Sequence, residues 1–297
     1  MALRLSGIAV SDFLCWKIRD DVVRLKEKGV VPSLGIVRVG ARPEDVSYER
    51  GATKRAQSLG VAVSRTLLPA DVSEEELAAV LREIDGSSRI HGCLLFRPLP
   101  PRLNTPAVLT ALRPEKDIDA MTGASMGGLM VQGLACFPPC TVSACVELLR
   151  FYQIPLAGKN VVIVGTGATV GMPAAVLLMS LGATVSACNI LTEPRLLLEL
   201  CQRADIIISA VGKAGLIGKE HVRPGQVVVD VGVSFTADGV MRGDVSFDQV
   251  EPIVAAITPV PGGVGAVTST VLSLHTVQAA MRACGLEEPK DERGGAL

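Results

Sequence analysis

The chain has 297 residues, of which 48% are hydrophobic and 20% charged, and its net charge is −1 at pH 7. That composition supports a large buried core in one large or two ordinary domains and excludes extensive disorder. The near-zero charge argues against a general nucleic-acid binder, and no apolar run reaches the ~18 residues of a membrane span.

The first residues, "MALRLSGIAVSDFLCWKIRD", meet charge too soon to read as a signal peptide. Residues 11–29 place Phe13, Leu14, Ile18, Val22, Val23 and Leu25 at helical spacing. "PSLGIVRVG" (32–40) is a short β-rich run ending in glycine. Residues 45–59 read as helix, 61–69 as extended, and 73–86 as a helix opened by a capping box of Ser73 and Glu76. "IHGCLLFRPLPP" (90–101) reads as a buried strand stopped by prolines. The alternation implies an α/β fold with a mostly parallel sheet covered on both faces.

After an irregular stretch to residue 140, a helix over 140–154 leads into a second unit, "GKNVVIVGTGATVGMPAAVLLMSLGATVSACN" (158–189), ordered strand, glycine turn, helix, strand. Further strands are expected at 204–212, 226–233 and 254–260. A final helix at about 266–283 should pack back on the first unit, and the tail from 287 should fray. The expected domains are therefore 1–145 plus 268–297, and a Rossmann-type dinucleotide-binding domain at 146–267. Eight cysteines, none in a C-x-x-C pair, read as reduced thiols of a cytoplasmic protein. Three histidines, widely separated in sequence, argue against a His-based metal site unless folding gathers them, and no metal is expected.

Two stretches carry the chemistry. "VVIVGTGATVGMP" has the spacing G-x-G-x-x-x-G, with Gly165, Gly167 and Gly171 between an apolar strand and a helix. Such a helix N-terminus offers free N–H groups and a positive dipole end to a pyrophosphate. The end of the next strand, "ACNIL", has neither the acidic residue that binds a ribose hydroxyl nor an adjacent arginine for a 2′-phosphate. Asn189 can bond a hydroxyl, and Arg195 is six residues on, so NAD is favoured over NADP. The second stretch is "ITPVPGGVGAVTST" (257–270). Pro259 and Pro261 fix φ and remove donors, and Gly262, Gly263 and Gly265 admit backbone shapes closed to other residues. It reads as a rigid turn whose bare backbone lies against a flat ligand.

"PLP" (98–100), "KDIDA" (116–120), "PPCTVSA" (138–144), "GTGATVGMP" (165–173), "GDVSF" (243–247) and "TPVPGGVGAVT" (258–268) together resemble the FolD-type family of 5,10-methylenetetrahydrofolate dehydrogenases/5,10-methenyltetrahydrofolate cyclohydrolases. The resemblance implies two α/β domains, a tetrahydrofolate one-carbon substrate, NAD or NADP as cofactor, and a homodimer through the Rossmann domains, with no nucleic-acid or membrane partner. It implies catalytic roles for Tyr48 and Asp119. It implies a folate site of Tyr48, Phe96, Pro98, Leu99, Asp119, Pro261, Gly262 and Gly263. The dinucleotide would meet Thr141, then Gly165, Thr166, Gly167, Thr169, Val170 and Gly171, and further on Asn189, Ala210, Val211, Gly212, Val233 and Thr268. Gly243 and Asp244 read as turn structure rather than chemistry.

The chain departs from the family pattern at informative places. Where the family has a lysine four residues after the tyrosine, this chain has Ala52; where it has a glutamine before "PLP", Phe96 stands. Ala120 replaces the usual glycine after Asp119, and Thr166 and Gly167 replace a frequent Arg-Ser or Ala-Ser pair. Hydride transfer to a nicotinamide needs mainly positioning. Hydrolysis of the methenyl product needs a proton-transfer group, worth roughly 10²–10⁴-fold. Losing amine and amide together therefore threatens the cyclohydrolase step and leaves the dehydrogenase step possible. Lys54 is no substitute, because six helical residues turn it about 240° from Tyr48. The other readings of these changes are a folate- and dinucleotide-binding homologue without turnover, or a dehydrogenase with another substrate.

Overall fold

The structure, a computed structural model, describes residues 1–131, 136–236 and 239–287. The tail expected to fray lies almost wholly outside the described residues. In chain order, β1 (Leu3–Arg4), α1 (Gly7–Glu27), β2 (Ser33–Val39), α2 (Pro43–Ser58), β3 (Ala62–Leu68), α3 (Glu74–Gly86) and β4 (Gly92–Leu95) come first. Short helices α4 (Thr105–Leu109) and α5 (Gly123–Gly128) precede α6 (Cys140–Phe151). Then follow β5 (Asn160–Val164), α7 (Gly171–Ser180), β6 (Thr184–Cys188), α8 (Pro194–Arg203), β7 (Ile206–Ser209) and β8 (Val227–Asp230). The last elements are β9 (Ser234–Phe235), β10 (Met241–Arg242), α9 (Phe247–Val250), β11 (Ala256–Ile257) and α10 (Gly265–Ala283).

The chain forms two compact units, one of Asp12–Cys140 with the residues from Ser269 on, the other of Met1–Ser11 with Thr141–Thr268. Residues 1–11, which the sequence reading places in the first domain, belong to the second unit because β1 pairs in parallel with β11. The strands expected at 90–101 and 254–260 shrink to β4 and β11. Proline at 98, 259 and 261 removes the donors that a longer ladder would need.

In the first unit β3-β2-β4 form a parallel sheet, with Gly35 opposite both Ser64 and Cys93. β2 and β4 are buried nearly throughout, as apolar runs covered on both faces should be, whereas β3 is a half-exposed edge. Their core gathers Val37, Leu77, Leu81, Leu95, Leu99 and Met121. Helix α3 begins where its capping box predicts: Ser73 N–H donates to Glu76 and Glu76 N–H to the Ser73 hydroxyl.

The second unit is a six-stranded parallel sheet in the order β1-β11-β8-β7-β5-β6. Its order reverses between β5 and β7. In open α/β sheets such a switch point opens a crevice at the carboxyl ends of the strands. Val162, Val164, Ile207, Val228 and Ile257 pack its core.

Candidate active site

Helix α2 carries the first candidates. It starts at Pro43, with Glu44 and Asp45 in its first turn, residues suited to a helix N-terminus. Buried Glu49 anchors it to the sheet, pairing with Arg38 of β2 at 2.6 Å and Arg65 of β3 at 3.5 Å. Beside that anchor the Tyr48 ring meets Phe96 edge to face, centroids 5.8 Å apart. Tyr48 is 36% exposed, yet protein surrounds its hydroxyl densely enough that burial raises the phenol well above its ordinary range, with Cys140 and Asp119 adding to the rise. One turn on, Ala52 is 1% exposed and presents only a methyl group. Lys54 is exposed. Pro98 is also exposed, whereas Leu99 is part of the core.

Asp119 lies on a loop held by another carboxylate. Fully buried Asp117 accepts from Met121 N–H at 2.8 Å and Thr122 N–H at 2.7 Å. This folds residues 117–122 tightly enough that Ala120 takes φ 44°. Asp119 Oδ1 accepts from Cys140 N–H at 2.8 Å, and Oδ2 lies 3.7 Å from Arg97. Burial raises the Asp119 carboxyl above its usual range, and the Cys140 N–H and Arg97 oppose that rise. Ile118 O accepts from His275 Nδ1–H at 2.9 Å; burial lowers that imidazole to about 4. The Cys140 thiol also points at Ile118 O, at 3.3 Å, and burial raises it well above the thiol range.

In the other unit, β5 ends in the glycine turn. Gly165 has φ 103°, and a Cβ on it would sit 2.4 Å from Ala210 O. A Cβ on Gly171 would meet Gly165 O at 1.8 Å, so helix and strand approach through bare backbone. Gly167 is different: a Cβ there meets nothing within 4 Å. Gly167 and Thr169 are exposed, and Thr166 and Val170 half-buried, so the start of α7 is an open cradle of the kind that receives phosphate. Across the switch point lie Ala210, exposed Val211 and Gly212 with φ 79°, and farther along exposed Val233. Thr141 is half-buried, and buried Thr268 donates to Val264 O. At the end of β6, Asn189 N–H donates to Thr192 Oγ1 and Leu191 N–H donates to the Asn189 side-chain oxygen, each at 2.9 Å. Arg195 pairs with Glu199 along α8 at 3.2 Å.

The proline-glycine loop has reasons within this unit for its composition. Gly262 has φ 101°, and a Cβ on Gly263 would stand 2.5 Å from Pro259 O. Gly7 supports the loop by donating its N–H to Gly262 O at 2.8 Å, while its own missing side chain makes room for Gly263 O. Beneath, Asp230 N–H donates to Thr258 Oγ1 at 2.7 Å. The Asp230 carboxylate accepts N–H bonds from Gly232, Asp244 and Val245. Asp244 in turn accepts from Ser209 Oγ, Val211 N–H and Lys213 N–H at 2.7–2.8 Å. Asp244 is thus committed to loop structure. Sequence reasoning missed Gly7, Arg97, Asp230 and His275.

Among the described residues no group of His, Cys, Asp and Glu is placed to hold a metal ion, and no helix is long and apolar enough to cross a membrane. The family description "Tetrahydrofolate dehydrogenase/cyclohydrolase, catalytic domain" matches residues 5–119, and its "NAD(P)-binding domain" counterpart matches 139–284. A bifunctional FolD protein of Carboxydothermus hydrogenoformans is 46% identical over 94% of this chain and 97% of its own length. The Campylobacter jejuni FolD methylenetetrahydrofolate dehydrogenase/cyclohydrolase superposes with a TM-score of 0.92 at 33% identity, covering 95% of this chain and 99% of that one. The Trypanosoma brucei enzyme, complexed with NADP and an inhibitor, gives 0.91 at 33% identity, covering 95% and 98%. With sequence, fold and both domains in agreement, the chain belongs to the tetrahydrofolate dehydrogenase/cyclohydrolase family.

Proposed function

We propose that this chain is a methylenetetrahydrofolate dehydrogenase of one-carbon metabolism whose cyclohydrolase step is crippled. The reading rests on one observation above others. Ala52 is buried one turn from Tyr48 and Phe96 packs on the Tyr48 ring, the two positions where the resemblance puts the family's lysine and glutamine. A nicotinamide bound in the second unit would supply the hydride acceptor. Tyr48 and Phe96 would hold the flat folate by ring packing, and the Asp119 carboxylate would accept from the pterin N–H groups. Ala52 and Phe96 offer no atom that takes or gives a proton, so water attack on the methenyl carbon would go unassisted.

The open cradle at Gly167 fits a dinucleotide pyrophosphate. The geometry at Asn189 favours NAD: its side-chain oxygen is occupied, its amide group can donate to a ribose hydroxyl, and Arg195 is engaged by Glu199. The eight free cysteines accord with a cytoplasmic enzyme; a homodimer through the Rossmann domains is the assembly the resemblance implies.

The test mixes the protein with 5,10-methylenetetrahydrofolate and either NAD or NADP, following reduced cofactor and methenyl absorbance together. Methenyl product should accumulate, faster with NAD. Ala52→Lys combined with Phe96→Gln should then raise methenyl hydrolysis by ~10²-fold, the low end of a positioned proton-transfer group's effect. Rapid hydrolysis by the unaltered protein would overturn the assignment of Ala52 and Phe96. No reduction of either cofactor would favour the binding homologue without turnover.

A further inference from the structure

We propose that Arg97 is a positioning residue for folate binding, keeping the Asp119 carboxylate charged so that it can accept hydrogen bonds from a pterin. The inference rests on the folate-site reading above and adds a residue to it.

Arg97 directly follows Phe96, whose N–H donates to Val37 O and so continues the β4 ladder by one residue. Its side chain is about four-fifths buried, and its guanidinium lies 3.7 Å from Asp119 Oδ2. That separation is an ion pair but too long for a direct hydrogen bond, so Oδ2 keeps its lone pairs for a ligand. Oδ1 is fixed by the Cys140 N–H. Asp119 is therefore oriented by one partner and charge-balanced by another, with accepting capacity left over.

The charge balance matters because burial and the Asp117 carboxylate oppose ionisation, whereas the Cys140 N–H and thiol favour it. The groups facing Asp119 are Arg97, the Cys140 thiol, the Tyr48 phenol and the Asp117 carboxylate, which is fully buried and of like charge. Desolvation disfavours the carboxylate, and a second carboxylate nearby disfavours it further. Arg97 is the cation that opposes both, after the Cys140 N–H, while the carboxyl stays raised by burial. With Ala52 where the family has an amine, the cation at this site comes from the segment after β4. A protonated Asp119 would offer an O–H and fewer accepting positions to the pterin's amino and ring N–H groups, weakening recognition.

Calorimetric titration with folic acid from pH 5 to 8, beside steady-state kinetics at pH 7.5, tests this on the whole protein. Arg97→Leu should weaken folate binding about tenfold at neutral pH. It should also move the pH at which affinity begins to fall upward by about one unit, the amount by which a lost ion-pair partner shifts a carboxylate. KM for the dinucleotide should stay within twofold. Arg97→Lys, which keeps the charge and loses the planar fork, should recover most of the affinity and the original pH profile. An unmoved pH profile in Arg97→Leu would show a merely structural role and overturn the proposal. Tighter folate binding would overturn it too, showing that arginine and pterin compete for Oδ2. Failure of the unaltered protein to bind folate would instead defeat the folate-site reading itself.

Discussion

The loops of the two units treat backbone strain and buried charge differently. In the nucleotide-binding unit, the left-handed positions of the glycine turn and its neighbouring loops are filled by Gly165, Gly212 and Gly262, with Gln153 at φ 55° lying outside them, and the buried carboxylates Asp230 and Asp244 each accept three hydrogen bonds. In the other unit, Ala120 takes φ 44° beside Asp119, whose carboxylate has one N–H bond and a distant arginine. Loops in the first case are held by the fold whether or not a ligand is bound. In the second, Ala52 and Phe96 are packed in the core, but Arg97 and Asp119 keep about a fifth of their side-chain surface exposed, so the fold leaves the Asp119 carboxylate with accepting capacity.

The sharpest way to break that contrast is Asp244→Asn. The carboxylate's two oxygens face Ser209 Oγ, Val211 N–H and Lys213 N–H, and an amide would turn an NH₂ against at least one of these donors. A buried donor left unsatisfied costs about 1–3 kcal/mol, and losing charge-assisted bonds adds to it, so a loss of about 3 kcal/mol is expected in urea denaturation. Because residues 210–212 line the proposed dinucleotide site, KM for the cofactor should rise with it. A loss below about 1 kcal/mol would mean that these loops are not held as described.

His275 gives the next largest effect. Its imidazole is held at about 4, against about 6.5 in an unfolded chain, so the folded state resists protonation and the unfolded state does not. Its contribution is whole above pH 6.5 and is lost as pH falls toward 4, about 2 kcal/mol between pH 7.5 and 5. Asp230, raised by burial to about 6, and Asp119, also raised, titrate with the opposite sign, losing stability as pH rises. The diagnostic quantity is therefore a difference: His275→Gln should flatten the acid loss relative to the unaltered protein in parallel urea titrations. Equal slopes would show that His275 is accessible to protons in the folded state.

What was legible in the sequence follows the same division. The glycine turn at 165–171 and the proline-glycine loop are local: backbone shape is written in the residues that adopt it. The parallel sheets, the capping box at Ser73 and the structural reading of Asp244 were legible for the same reason. Arg97 beside Asp119, Asp230 under Thr258, Gly7 under Gly263 and His275 on Ile118 O are pairings of residues 22 to 256 positions apart. No periodicity or spacing encodes such pairs; they emerge only when strands find their order. β1 joined the second unit for that reason, although its residues come first in the chain.

The smallest effect sharpens the comparison most finely. If Ala120 carries strain that glycine would relieve, Ala120→Gly should gain about 1 kcal/mol from the left-handed backbone. The methyl it removes is buried, 3% exposed, and worth about 0.8 kcal/mol. The two terms oppose, and the expected net change in urea denaturation is within about 0.5 kcal/mol. A gain well above 1 kcal/mol would mean that the methyl packs against nothing useful and that the Asp117–Thr122 loop carries uncompensated strain. A loss of that size would mean that packing has fully adapted to alanine, and the loop beside Asp119 would then be as firmly held as the glycine turns of the other unit.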